Sequence, residues 1–256
     1  MDHWRDHSTS LVMNFILLAL LLVPVSSFAS ASTSGRGPAL FPPRPGYLPP
    51  GYLPATDSFE IGDFVRSRKQ IDRVRRRHPQ FLDAFKLQLR LLLQGEEELS
   101  LLEWLKGIPR QHLSPEKLAV SLEIVEPGPE KSLQVLEWAR EHGFKSPALQ
   151  QKYIKRLEEL GELDLAYTAA REGREKYPEK DVFNLEAGRL ALEKNRLQEA
   201  EDLLEKYLQS APGESEVYLE LARLYYKQER EERARDYFSR YRALTPGAES
   251  WQEFTE

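Results

Sequence analysis

Residues 212–246 read PGESEVYLELARLYYKQEREERARDYFSRYRALTP, and this stretch is one unit of an internal repeat. Prolines recur every 34 residues, and the last of them ends the quoted stretch. A column of alanines has the same spacing. The two columns are Pro178, Pro212 and Pro246, and Ala166, Ala200 and Ala234. Two independent columns that share one period indicate a repeat architecture, in which each repeat is one supersecondary unit.

The pattern resembles the tetratricopeptide repeat family, whose units are also 34 residues long. Three repeats then start at Pro147, Asp181 and Ser215, and the resemblance covers residues 147–246. The third repeat matches the family pattern best and the first matches it least. The matching first-helix residues are Tyr218, Leu221, Ala222 and Tyr225 in the third repeat, Ala187, Gly188 and Ala191 in the second, and Leu157 in the first.

The resemblance implies an all-α fold, an α-solenoid of stacked antiparallel helix pairs. Small residues at Ala166, Ala200 and Ala234 allow the two helices of a pair to approach closely. Gly161 and Asn195 stand between paired helices, where a left-handed residue ends the first helix. Proline ends each second helix, because the residue before a proline avoids the helical region.

Amphipathic stretches separated by glycine and proline occupy residues 79–146, and we expect divergent helical hairpins there. The two hairpins are predicted at 79–107 and 114–142, with Trp104 and Trp138 in their second helices. Residues 247–256 are predicted to form a short C-terminal cap or a tail. Trp251 and Phe254 would cover the exposed end of the stack in such a cap.

The N-terminus is typical of an export signal. Leu11 to Val25 is apolar apart from Asn14 and Pro24, and small residues follow it. This run is shorter than a comfortable membrane-spanning helix and suits a signal peptide over residues 1–31. An uncleaved anchor is the alternative, and Met13 is an alternative start. In either case we expect an exported protein, periplasmic or extracellular, which an uncleaved anchor would hold at a membrane.

Residues 32–58 are predicted to be a disordered proline-rich linker. They contain PGYLPPGYLP at residues 45–54, and proline favours an extended, polyproline-like chain. A stiff spacer is the simpler interpretation. A ligand for an aromatic groove in another protein is the alternative.

Residues 59–78 are predicted to be a basic helical segment. Its cations are Arg66, Arg68, Lys69, Arg73, Arg75, Arg76 and Arg77, interrupted only by Asp72. Such density suits contact with an anionic membrane surface or an acidic partner. An ordinary solvated helix face is the alternative interpretation.

The composition gives no indication of catalysis. The chain has no cysteine, so disulfides, thiolate metal sites and cysteine nucleophiles are excluded. His78, His112 and His142 do not stand at metal-ligand spacings from one another. With a formal net charge of −5, we expect no nucleic acid partner, and we predict no cofactor, metal or small-molecule substrate. An enzyme of unrecognised type in region 57–146 stays open as an alternative.

A partner-binding groove is predicted on the first helices of the repeats, one residue beyond their core positions. Its residues are Gln151, Lys155, Leu185, Arg189, Leu192, Leu219, Arg223 and Tyr226. The cations Lys155, Arg189 and Arg223 fall in one column, so an extended peptide with an acidic residue or a free carboxylate would complement it. Ordinary ion pairs on the helix surface are the alternative explanation of these cations.

The sequence therefore predicts an exported scaffold that mediates protein–protein interactions, in assembly or organisation of cell-envelope or secreted complexes. A membrane-associated adaptor, held by an uncleaved anchor or by residues 64–78, is the alternative. The family specifies shape better than purpose, because one repeat architecture serves many unrelated processes.

Overall fold

The computed structural model describes residues 46–94 and 100–255. The predicted signal peptide or anchor and most of the predicted linker lie outside these residues. The described chain is helical, with no strand in either range. The helices are α1 (Tyr52–Glu60), α2 (Phe64–Arg77), α3 (Leu82–Leu93), α4 (Leu101–Lys106), α5 (Pro115–Val125), α6 (Pro129–Glu141), α7 (Pro147–Glu159), α8 (Leu163–Lys176), α9 (Val182–Glu193), α10 (Leu197–Ser210), α11 (Ser215–Lys227), α12 (Glu231–Leu244) and α13 (Trp251–Thr255), with a 3₁₀ turn at Arg110–His112.

Helices α7 to α12 form three successive helix pairs, α7 with α8, α9 with α10 and α11 with α12. The predicted repeat units are therefore confirmed. Ala166, Ala200 and Ala234 are fully buried, as the close approach of paired helices requires. One apolar core runs from Ile154 in α7 to Ala234 in α12, so the apolar residues of neighbouring repeats are buried against each other.

The turns between paired helices use a left-handed residue in all three repeats. Gly161, Asn195 and Glu229 have φ angles of 77°, 56° and 60°. The sequence predicted the first two, but a glutamate is an unusual choice for this conformation and Glu229 was missed. Each second helix ends before its proline, as predicted, with φ near −130° at the preceding residue: Tyr177, Ala211 and Thr245.

Helix α1 corrects the predicted linker. Residues 32–58 were expected to be extended, yet Tyr52–Glu60 is helical and its Ala55 is fully buried. Pro54 is the third residue of this helix, in the first turn, where the missing amide hydrogen has no partner within the helix anyway. Ala55 packs with Ile71 and Val74 of α2, and this apolar contact stabilises the helix.

The predicted hairpin at 79–107 is also different in the structure. Helix α3 packs mainly against α2 and α5, because α4 has only six residues and offers little surface. Contact between α3 and α4 includes Phe85 and Trp104, whose ring centroids are 5.4 Å apart. Helices α5 and α6 touch each other less than α6 touches α7, so the chain here is a sequential stack and not two separate hairpins.

Helix α13 covers the last repeat. The rings of Trp251 and Phe254 lie 5.4 Å and 4.6 Å from that of Phe238 in α12. Phe238 occupies the position that would contact a following repeat, so α13 takes the place of a further unit here.

Candidate functional site

The first helices of the repeats, α7, α9 and α11, carry the residues predicted to line a groove. Helices α9 and α11 contact each other directly, which leaves little room between them at the middle of the stack. Lys155, Arg223 and Tyr226 are exposed, and Gln151, Arg189 and Leu219 are half-buried. The accessible part of the predicted groove therefore lies on the first and third repeats.

Leu185 and Leu192 were predicted to face the groove, but the structure buries both in the shared core. Both belong to the middle repeat, whose first helix has a neighbouring repeat on either side. A side chain that points about 100° away from the core residues of its own helix is still buried when helices of both neighbouring repeats pack over it. These two leucines stabilise the stack and offer very little exposed apolar surface to a partner.

Arg189 connects two repeats. Its Nη2 donates to Glu158 Oε2 of the previous repeat at 2.8 Å and to Glu186 Oε2 of its own helix at 3.2 Å. Burial acts to lower the pKa of Arg189, but the hydrogen bond to Glu158 and the negative charges of Glu158 and neighbouring carboxylates together outweigh it and raise that pKa. Burial raises the pKa of Glu186, because it disfavours the charged carboxylate. Arg189 is thus neutralised by carboxylates of this chain.

Arg223 is held differently. Its Nη1 donates to Glu220 Oε1 at 2.9 Å, and its side chain is 46% exposed whereas that of Glu220 is 3% exposed. The other carboxylate oxygen of Glu220 is buried without a hydrogen-bond partner among the described residues. Burial raises the pKa of Glu220, and the charge of Arg223 acts against that rise. A buried carboxylate therefore fixes one edge of an arginine whose other edge is open.

The predicted cationic column is consequently not a row of equivalent cations. Lys155 is exposed, Arg189 is paired twice, and Arg223 is paired once and half open. The carboxylates Glu186 and Glu220 were missed by sequence reasoning. A signal was present, since glutamate precedes arginine by three residues in both repeats, at 186 and 189 and again at 220 and 223.

A shallow cavity of about 270 Å³ adjoins Arg223 where α11 meets the C-terminal helix α13. It is lined by Leu192, Glu193, Arg223, Tyr226, Lys227, Glu249, Glu253 and Phe254. The ring of Tyr226 meets those of Trp251 and Phe254 edge-on, with centroids 6.1 Å apart in both cases. Charged and aromatic groups thus surround one recess beside an exposed arginine.

The cations predicted to contact an anionic surface lie on α2. Six of them are exposed: Arg66, Arg68, Lys69, Arg73, Arg76 and Arg77. Arg75 is the exception, because it is half-buried with its guanidinium 5.9 Å from the centre of the Phe85 ring. Burial lowers the pKa of Arg75, and the negative charge of Asp72 acts against this.

Across residues 46–94 and 100–255, no group of three or more histidine, aspartate or glutamate side chains has an arrangement that could hold a metal ion. Within the same ranges, no helix combines the length and apolar character needed to cross a bilayer.

Comparison with known proteins identifies the repeats. Two family models, both described as tetratricopeptide repeat, match residues 154–215 and 191–255. No curated protein sequence shows significant similarity to the chain.

Several solved structures align with the chain at low sequence identity and with TM-scores below 0.5. PilW, a type IV pilus biogenesis factor, is 13% identical, with a TM-score of 0.47 over 80% of this chain and 97% of its own. MamA AMB-1 is 14% identical, with a TM-score of 0.46 over 80% and 96% of the two chains. YrrB, described as a TPR protein with an unusual peptide-binding site, is 14% identical, with a TM-score of 0.39 over 77% and 86%. From the family models and the helix pairs together, residues 154–255 of this chain are tetratricopeptide repeats.

Proposed function

We propose that this protein is a non-enzymatic scaffold that binds a partner protein on the first helices of its repeats, at Arg223 and Tyr226. The observation that carries the proposal is the pairing of exposed Arg223 with buried Glu220. An arginine whose position is already fixed loses less conformational freedom on binding than a free one. Leu219 and Tyr226, on the same helix, add partly exposed apolar surface.

The partner we propose is an extended segment with an acidic side chain or a free C-terminal carboxylate. A guanidinium presents a planar fork of donors that matches a carboxylate, and Glu220 Oε1 contacts only Nη1. Tyr226 is 42% exposed and supplies a flat ring beside that fork. Aromatic residues and arginine are the types that most often dominate binding energy at interfaces. Lys155 and Gln151 would contact a more distant part of the same segment.

A peptide-display selection on the purified chain tests this proposal. We expect the selected peptides to be enriched in aspartate, glutamate or an acidic C-terminus, and to lose at least roughly tenfold in affinity for the double variant Arg223→Glu and Tyr226→Ala. Arg240→Glu is the matched control, since Arg240 is also exposed and paired with an acid of its own helix, Asp236, but lies on a second helix. Peptides that bind the double variant and the wild type equally would refute the proposed site.

Export is part of this proposal, and it is supported by the apolar run Leu11–Val25 and the small residues after it. We infer a scaffold of the periplasm or the extracellular space, acting in assembly of envelope or secreted complexes. Mass spectrometry of the protein from its native host checks this, since a mature N-terminus within residues 28–32 is expected. A full-length chain in the cytosolic fraction would contradict export.

A further inference from the structure

We propose that helix α2 and the turn before it form a docking surface for an anionic lipid membrane, with Val65 and Ile61 inserted and the cations of α2 against the headgroups. This surface consists of Ile61, Val65, Arg66, Lys69, Arg73 and Arg76. It is remote in sequence from the proposed partner site, and the inference does not depend on that site.

Exposed apolar side chains are concentrated at this end of the described chain. Ten large hydrophobic residues are exposed in the described ranges, and five of them fall within residues 47–65. The five are Tyr47, Leu48, Leu53, Ile61 and Val65. Ile61 is 78% exposed and Val65 is 69% exposed, the two highest values among the ten. Apolar groups that insert between lipids need this degree of accessibility.

Four of the seven cations of α2 have no side-chain partner among the described residues, whereas Arg68 and Arg76 each donate to a backbone carbonyl oxygen. Arg66, Lys69, Arg73 and Arg77 make no ion pair or side-chain hydrogen bond with another described residue. Elsewhere in the described chain, arginine and lysine commonly pair with a carboxylate, as Arg235 does with Glu231. Their positive charge is therefore available to an anionic surface.

Helix stability does not account for all of these cations. Positive charge is favourable in the last turn of a helix, where Arg75, Arg76 and Arg77 lie. Arg66 lies in the first turn, where positive charge is unfavourable. Its backbone amide is capped by Asp63, but its guanidinium is unpaired. A role outside the helix explains why a cation is present there.

The geometry places apolar and cationic groups on one side of α2. Val65, Lys69, Arg73 and Arg76 are spaced by four, four and three residues, which puts them on one helix face. Ile71 and Val74, on the opposite face, are buried against α1 and α3. The exposed face is thus a stripe of cations with an apolar end at Val65.

Charge complementarity selects an anionic bilayer as the occupant. The helix has seven cationic residues and one acidic residue, Asp72, which is half-buried. Three further acids, Asp57, Glu60 and Asp63, come before the helix, so positive charge is concentrated toward its C-terminal end. A soluble acidic protein would satisfy the cations but would leave Ile61 and Val65 without an apolar environment unless it supplied a pocket for them.

A position-specific label tests the docking in the full chain. Because the chain has no cysteine, Val65→Cys can carry a single environment-sensitive fluorophore. Leu165→Cys is the matched control, since Leu165 is 52% exposed on α8, away from the proposed surface. We expect vesicles of phosphatidylglycerol and phosphatidylcholine to shift the emission to the blue, and lipid-borne quenchers to reduce it, at position 65 only.

The cations are tested in the same assay. Each basic residue at an anionic surface strengthens binding roughly fivefold, so Arg66→Gln, Lys69→Gln, Arg73→Gln and Arg76→Gln together should weaken the signal at position 65 by more than roughly tenfold. Salt at about 1 M should weaken it as well, because the screening length falls from about 10 Å at 0.1 M to about 3 Å. Arg233→Gln, Arg235→Gln, Arg240→Gln and Arg242→Gln, four exposed cations of α12, should leave it unchanged.

Three outcomes would overturn the proposal. The first is equal quenching at positions 65 and 165, which would mean that another part of the chain makes the contact. The second is an equal response to pure phosphatidylcholine, which would remove the role of charge. The third is an equal blue shift with soluble polyglutamate, which would indicate an acidic partner in place of a membrane. Far-ultraviolet circular dichroism shows whether each variant keeps its helices.

Discussion

Gly173 of α8 lies so close to Phe183 of α9 that a methyl group on its Cα would stand 2.5 Å from the Cδ1 atom of the ring. This contact joins the first repeat to the second, and Phe183 is fully buried. A ring packed on all sides cannot move aside, so the interface between the two repeats depends on a residue without a side chain.

We predict that Gly173→Ala destabilises the protein by about 1–3 kcal/mol through overpacking, even though alanine is the better helix former by about 1 kcal/mol. Urea unfolding followed by circular dichroism measures the change. Gly213→Ala is the control, since nothing lies within 4 Å of a methyl group there. Equal stability of the two variants would mean that the repeats can separate to admit the methyl group.

The ion pair between Arg189 and Glu158 gives a second prediction. Both side chains are mostly buried, at 29% and 16% exposure, and Arg189 also neutralises Glu186. Replacing Arg189 with methionine leaves two carboxylates close together without their cation, so we expect a loss of about 1–3 kcal/mol. Lys106→Met removes an exposed pair with Glu103 and should change the free energy of unfolding by less than about 0.5 kcal/mol. Similar losses for both would show that Arg189 acts as a surface residue.

Lys117 leads to a prediction about pH. Its Nζ donates to the carbonyl oxygens of Pro79 and His112, at 2.5 Å and 2.6 Å, and lies 5.5 Å from the centre of the Phe85 ring. Burial, with the positive charge of Arg75, lowers the pKa of Lys117 to about 8, and Glu116 acts in the opposite direction.

Because the folded protein releases the proton of Lys117 at a lower pH than the unfolded chain does, the free energy of unfolding should rise as pH increases above about 8. We expect a gain of about 1 kcal/mol between about pH 8 and pH 9.5, a range that ends before tyrosine ionisation begins to act in the opposite direction. Denaturant titrations at several pH values measure this gain in the wild type and in Lys117→Met. The variant should be less stable at every pH and should lack the rise, and an equal rise in both proteins would assign it to another group.

The C-terminal helix should stabilise the last repeat. Trp251 and Phe254 cover Phe238, with the guanidinium of Arg235 4.7 Å from the centre of the Trp251 ring. Deletion of residues 247–256, or Trp251→Ala with Phe254→Ala, should remove about 2 kcal/mol and lower Tm. Gln252→Ala is the control, since Gln252 is exposed on the same short helix. An unchanged Tm in the deletion would mean that residues 247–256 are a tail.

The repeats could be predicted because their constraints are local and recur. Proline stops each second helix, and a small residue is required where paired helices approach, so the same residue types return every 34 positions. Helix α1 could not be predicted in this way. Its Pro54 indicates extended chain locally, and only contact of Ala55 with Ile71 and Val74 makes the helix favourable.

The accessibility of the residues in the proposed groove could be predicted only in part, because helix periodicity assigns a direction to a side chain but not the neighbour it meets. Arg223 and Tyr226 are exposed as predicted, whereas Leu185 has the same periodic position as Leu219 and is buried. The difference arises because the middle repeat has a neighbour on both sides. Glu158 and Arg189 form an ion pair although they are 31 residues apart in sequence. The periodicity of a helix predicts contacts within that helix only, so it could not predict this pair.

What the sequence by itself determined is the repeat unit: its length, its paired helices and the residues at which each helix stops, because these depend on backbone preferences and close packing within one unit. Only the tertiary structure decided which side chains stay accessible and which cations keep a free charge. Those properties depend on surfaces from separate units meeting in space, and they distinguish Arg223 from Arg189 although both occupy the same position of the repeat.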